Sequence, residues 1–372
     1  MKFLTIQYFA VFISLLTSSL AGQESPKSIR LNQVQVIGTH NSYHIAPSKA
    51  VLEYISTGDP EKVKSLDYTH RSLTEQFSKL GIRQVELDLF ADPNGGLYAE
   101  PFGVTIDSEE HPFGTILQQP GLKVLHIQDI DYRTNVPTFT QALQEIQHWS
   151  RANPGHYPIM ILLELKDKPI GHQYTQPITF GKTEINTVDK EILSVFSPDE
   201  ILKPDDIRGK LDTLRNAVTN EGWPILEEVR NKVIFAIDNT NHIRDLYLED
   251  HPSLKGRIAF VSVGEDHPAA AFMKINNVHK DFEKIRDMAS KGFLVRTRAD
   301  SGTRESRNND VTTFQKALQS GAHFISTDYP EADLRFSDYQ VRFQDNLTAR
   351  ANPVTGKDFD NSQDFDPVTG GR

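Results

Sequence analysis

The chain has 372 residues with 38% hydrophobic and 24% charged side chains, enough apolar material spread along its length to bury a sizeable core and to exclude global disorder. Its net charge of -10 gives no basic field for a nucleic-acid backbone, and no polybasic face for an anionic membrane, leaving only transient membrane contact through apolar or aromatic loops. With no cysteine there are no disulfides, thiolate metal sites or cysteine nucleophiles, so any metal must be held by oxygen or imidazole.

Residues 1 to 22 begin with Lys2, continue through an apolar stretch too short to span a bilayer, and end in small residues around Ala21. This reads as a signal peptide and places the mature protein outside the cytoplasm, secreted or periplasmic. Beyond it, eight short apolar, β-rich runs are expected as strands: Gln33 to Ile37, Ile82 to Phe90, Lys123 to Ile127, Pro158 to Leu165, Lys232 to Ile237, Arg257 to Val263, Phe293 to Arg298 and Ala322 to Ser326. Helical spacing of apolar residues over Pro137 to Arg151 and over Phe272 to Met288 predicts amphipathic helices between them, and Trp223-Pro224 is expected to open another. Strands alternating with helices, and no GxGxxG after the first, predict an α/β, TIM-like (β/α)8 barrel as a single domain over 31–341 with long loop insertions. From Arg342 to Arg372 the composition turns polar, and a disordered tail is expected.

Catalytic groups of a TIM barrel stand at the C-terminal ends of its strands. There the chain carries His40-Asn41, Glu86-Leu87-Asp88, His126, Glu164-Leu165-Lys166 and Arg296-Thr297-Arg298. Glu86 and Asp88 are two apart on one strand, hence on one face, the interior one if Val85, Leu87 and Leu89 meet the helices. Two interior carboxylates need a cation or a proton, and with Glu164 and the Asn41 amide oxygen they form a hard, oxygen-rich shell suited to Ca2+, with Mg2+ second. The plainer alternative is a set of surface carboxylates held by nearby lysine or arginine. His40 and His126, placed beside that shell, supply a base and an acid. Lys166, Arg296 and Arg298 would balance a phosphoryl group, the alternative for Arg296 and Arg298 being to pair with barrel carboxylates such as Asp300 and Asp328. His44, His70, His111, His148, His156 and His172 lack such context and are expected on the surface or behind the site.

In order along the chain, Gly38-Thr39-His40-Asn41-Ser42-Tyr43, Val85-Glu86-Leu87-Asp88, His126 with Asp131, Asn153-Pro154-Gly155-His156-Tyr157-Pro158, Glu164-Leu165-Lys166-Asp167, Arg296-Thr297-Arg298-Ala299-Asp300 and Thr327-Asp328-Tyr329-Pro330 resemble the calcium-dependent phosphatidylinositol-specific phospholipases C. The resemblance runs from about Leu31 to about Pro330. It implies His40 as the base on the inositol 2-hydroxyl, His126 as the acid on the departing oxygen, Ca2+ on Asn41, Glu86, Asp88 and Glu164, and Lys166, Arg298 and Arg296 on phosphate or inositol. The implied substrate is a phospholipid or a soluble inositol phosphodiester. Two alternatives remain: a glycerophosphodiester phosphodiesterase, disfavoured by Asn41 where that family would read arginine, and a catalytically silent barrel that binds inositol phosphate or glycan.

Overall fold

A computed structural model of the chain describes residues 28–107, 113 and 115–368. The expected signal peptide, and His111, lie outside the described residues. Among the described residues ten strands are formed: β1 (Val34–Thr39), β2 (Gln84–Phe90), β3 (Lys123–Val124), β4 (Ile159–Leu165), β5 (Val233–Ile237), β6 (Ala259–Val261), β7 (Phe272–Lys274), β8 (Leu294–Arg298), β9 (Phe324–Thr327) and β10 (Ala349–Ala351). Eight of them run parallel in the order β6-β5-β4-β2-β1-β9-β8-β7. A single parallel bridge, Ser262 to Phe272, joins β6 to β7 and completes the ring. This is the expected (β/α)8 barrel. Its strands read as near-continuous apolar runs because side chains on one face fill the barrel and those on the other meet the helices. Thus Val85, Leu87 and Leu89 are buried against the outer layer while Glu86 and Asp88 point inward.

One stave differs from the expected set. Lys123 to Ile127 contributes only the two residues of β3, which pair antiparallel with the end of β2, off the ring. The missing stave is β7, in a segment whose periodicity had suggested a helix from Phe272. The helix begins later, at Val278, where the Asn277 side chain accepts the Lys280 N–H and ends the strand register. Phe272 and Met273 therefore belong to a buried strand, and the helical pattern applies only beyond Asn277. Pro224 likewise stands just ahead of a short helix, Leu226–Val229, whose N-cap residue is Ile225.

The C-terminal stretch expected as a disordered tail is folded over its described part. β10 pairs antiparallel with the start of β1. Phe365 is buried, and Asp366 forms a fully buried ion pair with Arg83 (2.5 Å) at the start of β2. The segment is polar in composition because its carboxylates and amides satisfy backbone and arginine groups at the N-terminal end of the barrel, which composition alone cannot show. Among the described residues no helix is long and apolar enough to cross a membrane.

Candidate active site

The expected residues converge at the C-terminal mouth of the barrel. Asp88 and Glu164 are register partners on β2 and β4, and with Glu86 their carboxylate oxygens lie within 4.8 Å of one another. Asn41 follows β1 with a φ of 44°, a left-handed turn that asparagine tolerates better than most residues. Its Nδ2 donates to the Tyr68 hydroxyl (3.2 Å), while its buried Oδ1 meets no donor. The turn is braced by Ser42, whose N–H donates to the Glu86 carbonyl and whose hydroxyl accepts the Glu86 N–H (2.8 Å).

The acidic shell carries charge that the protein only partly offsets. Arg296 donates to Glu86 (2.5 Å), and Lys166 lies 3.1 Å from Asp88 and 3.5 Å from Glu164. Three carboxylates thus face two cations. Both Asp88 oxygens are buried without a hydrogen bond of good geometry. Burial pushes Glu86 up to about 7 and Asp88 well above the usual carboxylate range, against the opposing pull of Arg296 and Lys166 respectively. Burial also pulls the Lys166 ammonium down, but Asp88 and Glu164 outweigh it and hold that group above its ordinary range. A buried carboxylate with unmet acceptors costs several kcal/mol unless a cation joins it. The oxygen-only donor set of Asn41, Glu86, Asp88 and Glu164, with an orphaned amide oxygen aimed among carboxylates, fits a hard divalent cation.

Each imidazole has an aspartate on its Nδ1, which orients the ring and leaves Nε2 toward the mouth. His40 meets Asp328 (2.8 Å), with its Nε2 3.7 Å from Glu86. Burial, and next the Arg298 charge, hold His40 well below the usual imidazole range in spite of Asp328. His126 meets Asp131 (2.6 Å), and burial holds it below the usual range although Asp131 pulls it up. The two aspartates are themselves held low: burial would raise each, but Arg298 with His40 outweighs it at Asp328, and His44 with His126 at Asp131. Because β3 is so short, His126 stands on a tight turn in which Ile127 and Asp131 exchange backbone hydrogen bonds, not on a strand end, and that turn sets Asp131 beside it.

The cations take distinct places. Arg298 donates to Asp328 (3.0 Å) while its buried Nε has no partner. Arg296 is fully buried and bonds Glu86, Ser326 (2.9 Å) and Asn276 (2.7 Å), so it stands behind the shell. Lys166 is a quarter exposed at the rim.

Sequence reasoning undervalued several partners. His44 is fully buried, with Nε2 2.9 Å from Asp131 and Nδ1 3.0 Å from the Tyr68 carbonyl, and His70 is buried with Nε2 2.9 Å from the His40 carbonyl. The spacing of Asp131 from His126, and Asp328 at the end of the last stave, were the available signals. His156 is buried but bonds Ser150 and Tyr157 at the other end of the barrel, and His148 and His172 are exposed. A further pair, Asp238 with Lys274, sits at the ends of β5 and β7 with the Asp238 Oδ1 unbonded.

Solved structures of similar fold include a calcium-dependent phosphoinositol-specific phospholipase C from the Gram-negative bacterium Pseudomonas sp (TM-score 0.55, 15% identity, covering 88% of this chain and 97% of that one). The myo-inositol complex of a Pseudomonas sp enzyme so described gives a TM-score of 0.54 at 14% identity over 87% and 96% of the two chains. A Streptomyces antibioticus Ca2+-dependent phosphatidylinositol-specific phospholipase C gives 0.49 at 15% identity over 81% and 95%. At these identities the likeness to the two Pseudomonas structures carries the fold alone. No curated protein matches the chain in sequence. The family model described as phosphoinositide phospholipase C, Ca2+-dependent, matches residues 29–353, a span that holds the whole acidic shell and both imidazoles. The chain therefore belongs to the Ca2+-dependent phosphoinositide phospholipase C family, phosphodiester-cleaving enzymes that require calcium.

Proposed function

We propose that the enzyme cleaves phosphatidylinositol or a related inositol phosphodiester by intramolecular attack of the inositol 2-hydroxyl. The observation that carries this reading is the pairing of two aspartate-oriented imidazoles with one under-compensated carboxylate shell in a single mouth. His40, kept neutral by burial and by Arg298, takes the hydroxyl proton on Nε2 as the oxygen bonds to phosphorus. The phosphorus–oxygen bond to the glycerol breaks, its electron pair stays on the glycerol oxygen, and His126 delivers a proton there from Nε2. The products are the cyclic inositol phosphate and the free lipid alcohol. Burial disfavours the charged form of His126, and a phosphodiester anion bound beside it restores that form.

Asn41, Glu86, Asp88 and Glu164 would hold the calcium ion, which when bound lowers the hydroxyl's pKa and offsets charge at phosphorus. Three carboxylates against Arg296 and Lys166 leave one negative charge, so a divalent cation together with a phosphodiester monoanion brings the mouth to neutrality. Arg298 and Lys166 face the phosphate or inositol oxygens, while Arg296 acts by holding Glu86 in place. Action outside the cytoplasm, read from residues 1 to 22, and transient membrane contact belong to the same proposal.

Phosphorus NMR of the products from phosphatidylinositol, with and without a calcium chelator, tests it. A cyclic phosphate signal that vanishes on chelation is expected. Hydrolysis of glycerophosphocholine in preference to any inositol phosphodiester would overturn it and favour a glycerophosphodiesterase.

A further inference from the structure

The two aspartates that orient the imidazoles are held by different neighbours. Asp328, behind His40, takes a second hydrogen bond from Arg298 (3.0 Å). Asp131, behind His126, takes its second from His44, whose Nε2 reaches both carboxylate oxygens (2.9 and 3.0 Å). His44 and Asp131 are fully buried, whereas the His126 side chain is 20% exposed at the mouth. The other His44 nitrogen, Nδ1, stands 3.0 Å from the Tyr68 carbonyl. A carbonyl can only accept, and so can a carboxylate held ionised as Asp131 is, so His44 donates at both ends and neither end is open to substrate. The reaction proposed above gives it no proton to carry.

His44 is itself firmly placed. Its ring stacks on Tyr68 (centroids 4.3 Å apart, 25° between planes), its N–H donates to the Asn41 carbonyl (2.8 Å), and its own carbonyl accepts the His70 N–H (2.9 Å). An antiparallel bridge to Thr134 ties it to the chain just past Asp131. The segment His40 to His44 therefore carries the base at its first residue, a ligand of the cation shell at its second and the holder of the acid's aspartate at its last. A carboxylate bonded through one oxygen alone turns readily about its terminal torsion, which has a broad minimum, and a donor that bridges both oxygens fixes its plane. That plane sets the His126 ring through the Nδ1 contact (2.6 Å), and with it the direction of Nε2.

We propose that His44 is the positioning residue of the acid: by bridging the Asp131 carboxylate it holds the His126 ring with Nε2 aimed at the departing oxygen. This rests on the assignment of His126 as the acid. In that step the Nε2 proton passes to the glycerol oxygen, which keeps the electron pair of its broken bond to phosphorus. The Nδ1 proton stays between His126 and Asp131, and the His44 protons stay on His44. His44 thus directs a proton transfer without joining it.

Two neutral amide variants separate the contacts of His44. His44→Gln puts an N–H donor where Nε2 stood and keeps the bond to Asp131, whereas His44→Asn puts one where Nδ1 stood, facing the Tyr68 carbonyl, and loses Asp131. For the full chain with calcium, kcat/KM is compared on a short-chain phosphatidylinositol and on an inositol phosphodiester with a nitrophenolate leaving group. His44→Asn should lower the value on the lipid by about ten- to a hundredfold, less than the loss of an orienting aspartate itself, and that on the nitrophenyl ester, which needs no proton, by no more than about threefold. His44→Gln should keep most of the lipid activity. Added to His126→Ala, His44→Asn should take nothing further from the lipid value, because it acts through that ring alone. No loss in His44→Asn, equal losses on the two substrates, equal losses in the two amide variants, or a further loss in the His126→Ala background would overturn the role. If His126→Ala alone loses as much on the nitrophenyl ester as on the lipid, the assignment of the acid falls, and the role of His44 with it.

Discussion

The two ends of the barrel treat buried charge in opposite ways. At the N-terminal end Arg83 is fully buried, yet each nitrogen of its guanidinium has a partner: Asp366 (2.5 Å), the carbonyls of Phe77 and Ile82, and that of Val368 (3.0 Å). Asp366 in turn accepts the N–H groups of Tyr157 (2.8 Å) and Val368 (2.9 Å). At the C-terminal mouth Asp88 and Asn41 keep buried oxygens with no hydrogen bond, and Glu86 is pushed up to about 7 by burial. Polar groups satisfied within the fold contribute to stability, whereas groups left unsatisfied at a barrel mouth are poised for a ligand. Changes at the two ends should therefore separate, with rate lost at one and stability at the other.

The largest effect is expected at the mouth. His40→Ala and Glu86→Gln should each lower the rate on phosphatidylinositol by at least about two to three orders of magnitude, with the urea midpoint of His40→Ala little changed. His126→Ala should lose a similar factor on the lipid but regain much of it on an inositol phosphodiester with a nitrophenolate leaving group, which needs no proton; His40→Ala should regain none. Steady-state kinetics on the two substrates would show whether the roles of base and acid are as assigned.

At the other end, Asp366→Ala should cost about 3–5 kcal/mol in urea denaturation, because it strands a buried guanidinium, and should leave kcat of the folded protein intact. Calcium should act only on the mouth. At a hundredfold excess over its dissociation constant it should stabilise the wild type by about 2.7 kcal/mol, an increment that Glu86→Gln loses and Asp366→Ala keeps.

A smaller effect follows from His156 and His323, each lowered by burial to about 4 from the ordinary 6.5. A histidine depressed in the fold stays neutral there while the unfolded chain takes up a proton, so stability falls as pH drops from 6.5 toward 4. At pH 5 each should cost about 2 kcal/mol relative to neutral pH, measurable by denaturation across that window. The smallest shift concerns Arg298, whose charge helps to hold His40 low. Arg298→Gln should lift the His40 pKa and so move the acid limb of kcat/KM to higher pH, read from the pH–rate profile.

Much of the mouth was legible in the sequence because strand periodicity and chemistry coincide there. Glu86 and Asp88, two apart between apolar neighbours, can face only one way, and His40-Asn41 follows an apolar run directly. The stave β7 was hidden because Phe272 and Met273 lie just before a true amphipathic helix, and only the Asn277 cap separates the two patterns. The shared use of Asp131 by His44 and His126 was hidden for another reason. Their contact depends on a turn at Ile127 to Asp131 that packs against the segment after β1, a relation between loops that no local spacing records. The C-terminal latch was invisible because polar composition looks the same whether its groups meet water or a buried arginine.

Calorimetric titration of calcium into the wild type and into Asp88→Asn tests the claim on which the rest depends, that the under-compensated carboxylates at the mouth form a divalent-cation site. One ion per wild-type chain, with binding lost in the variant together with phosphodiesterase activity, is the expected result. Wild-type protein that binds no calcium and cleaves phosphatidylinositol equally well in chelator would contradict it.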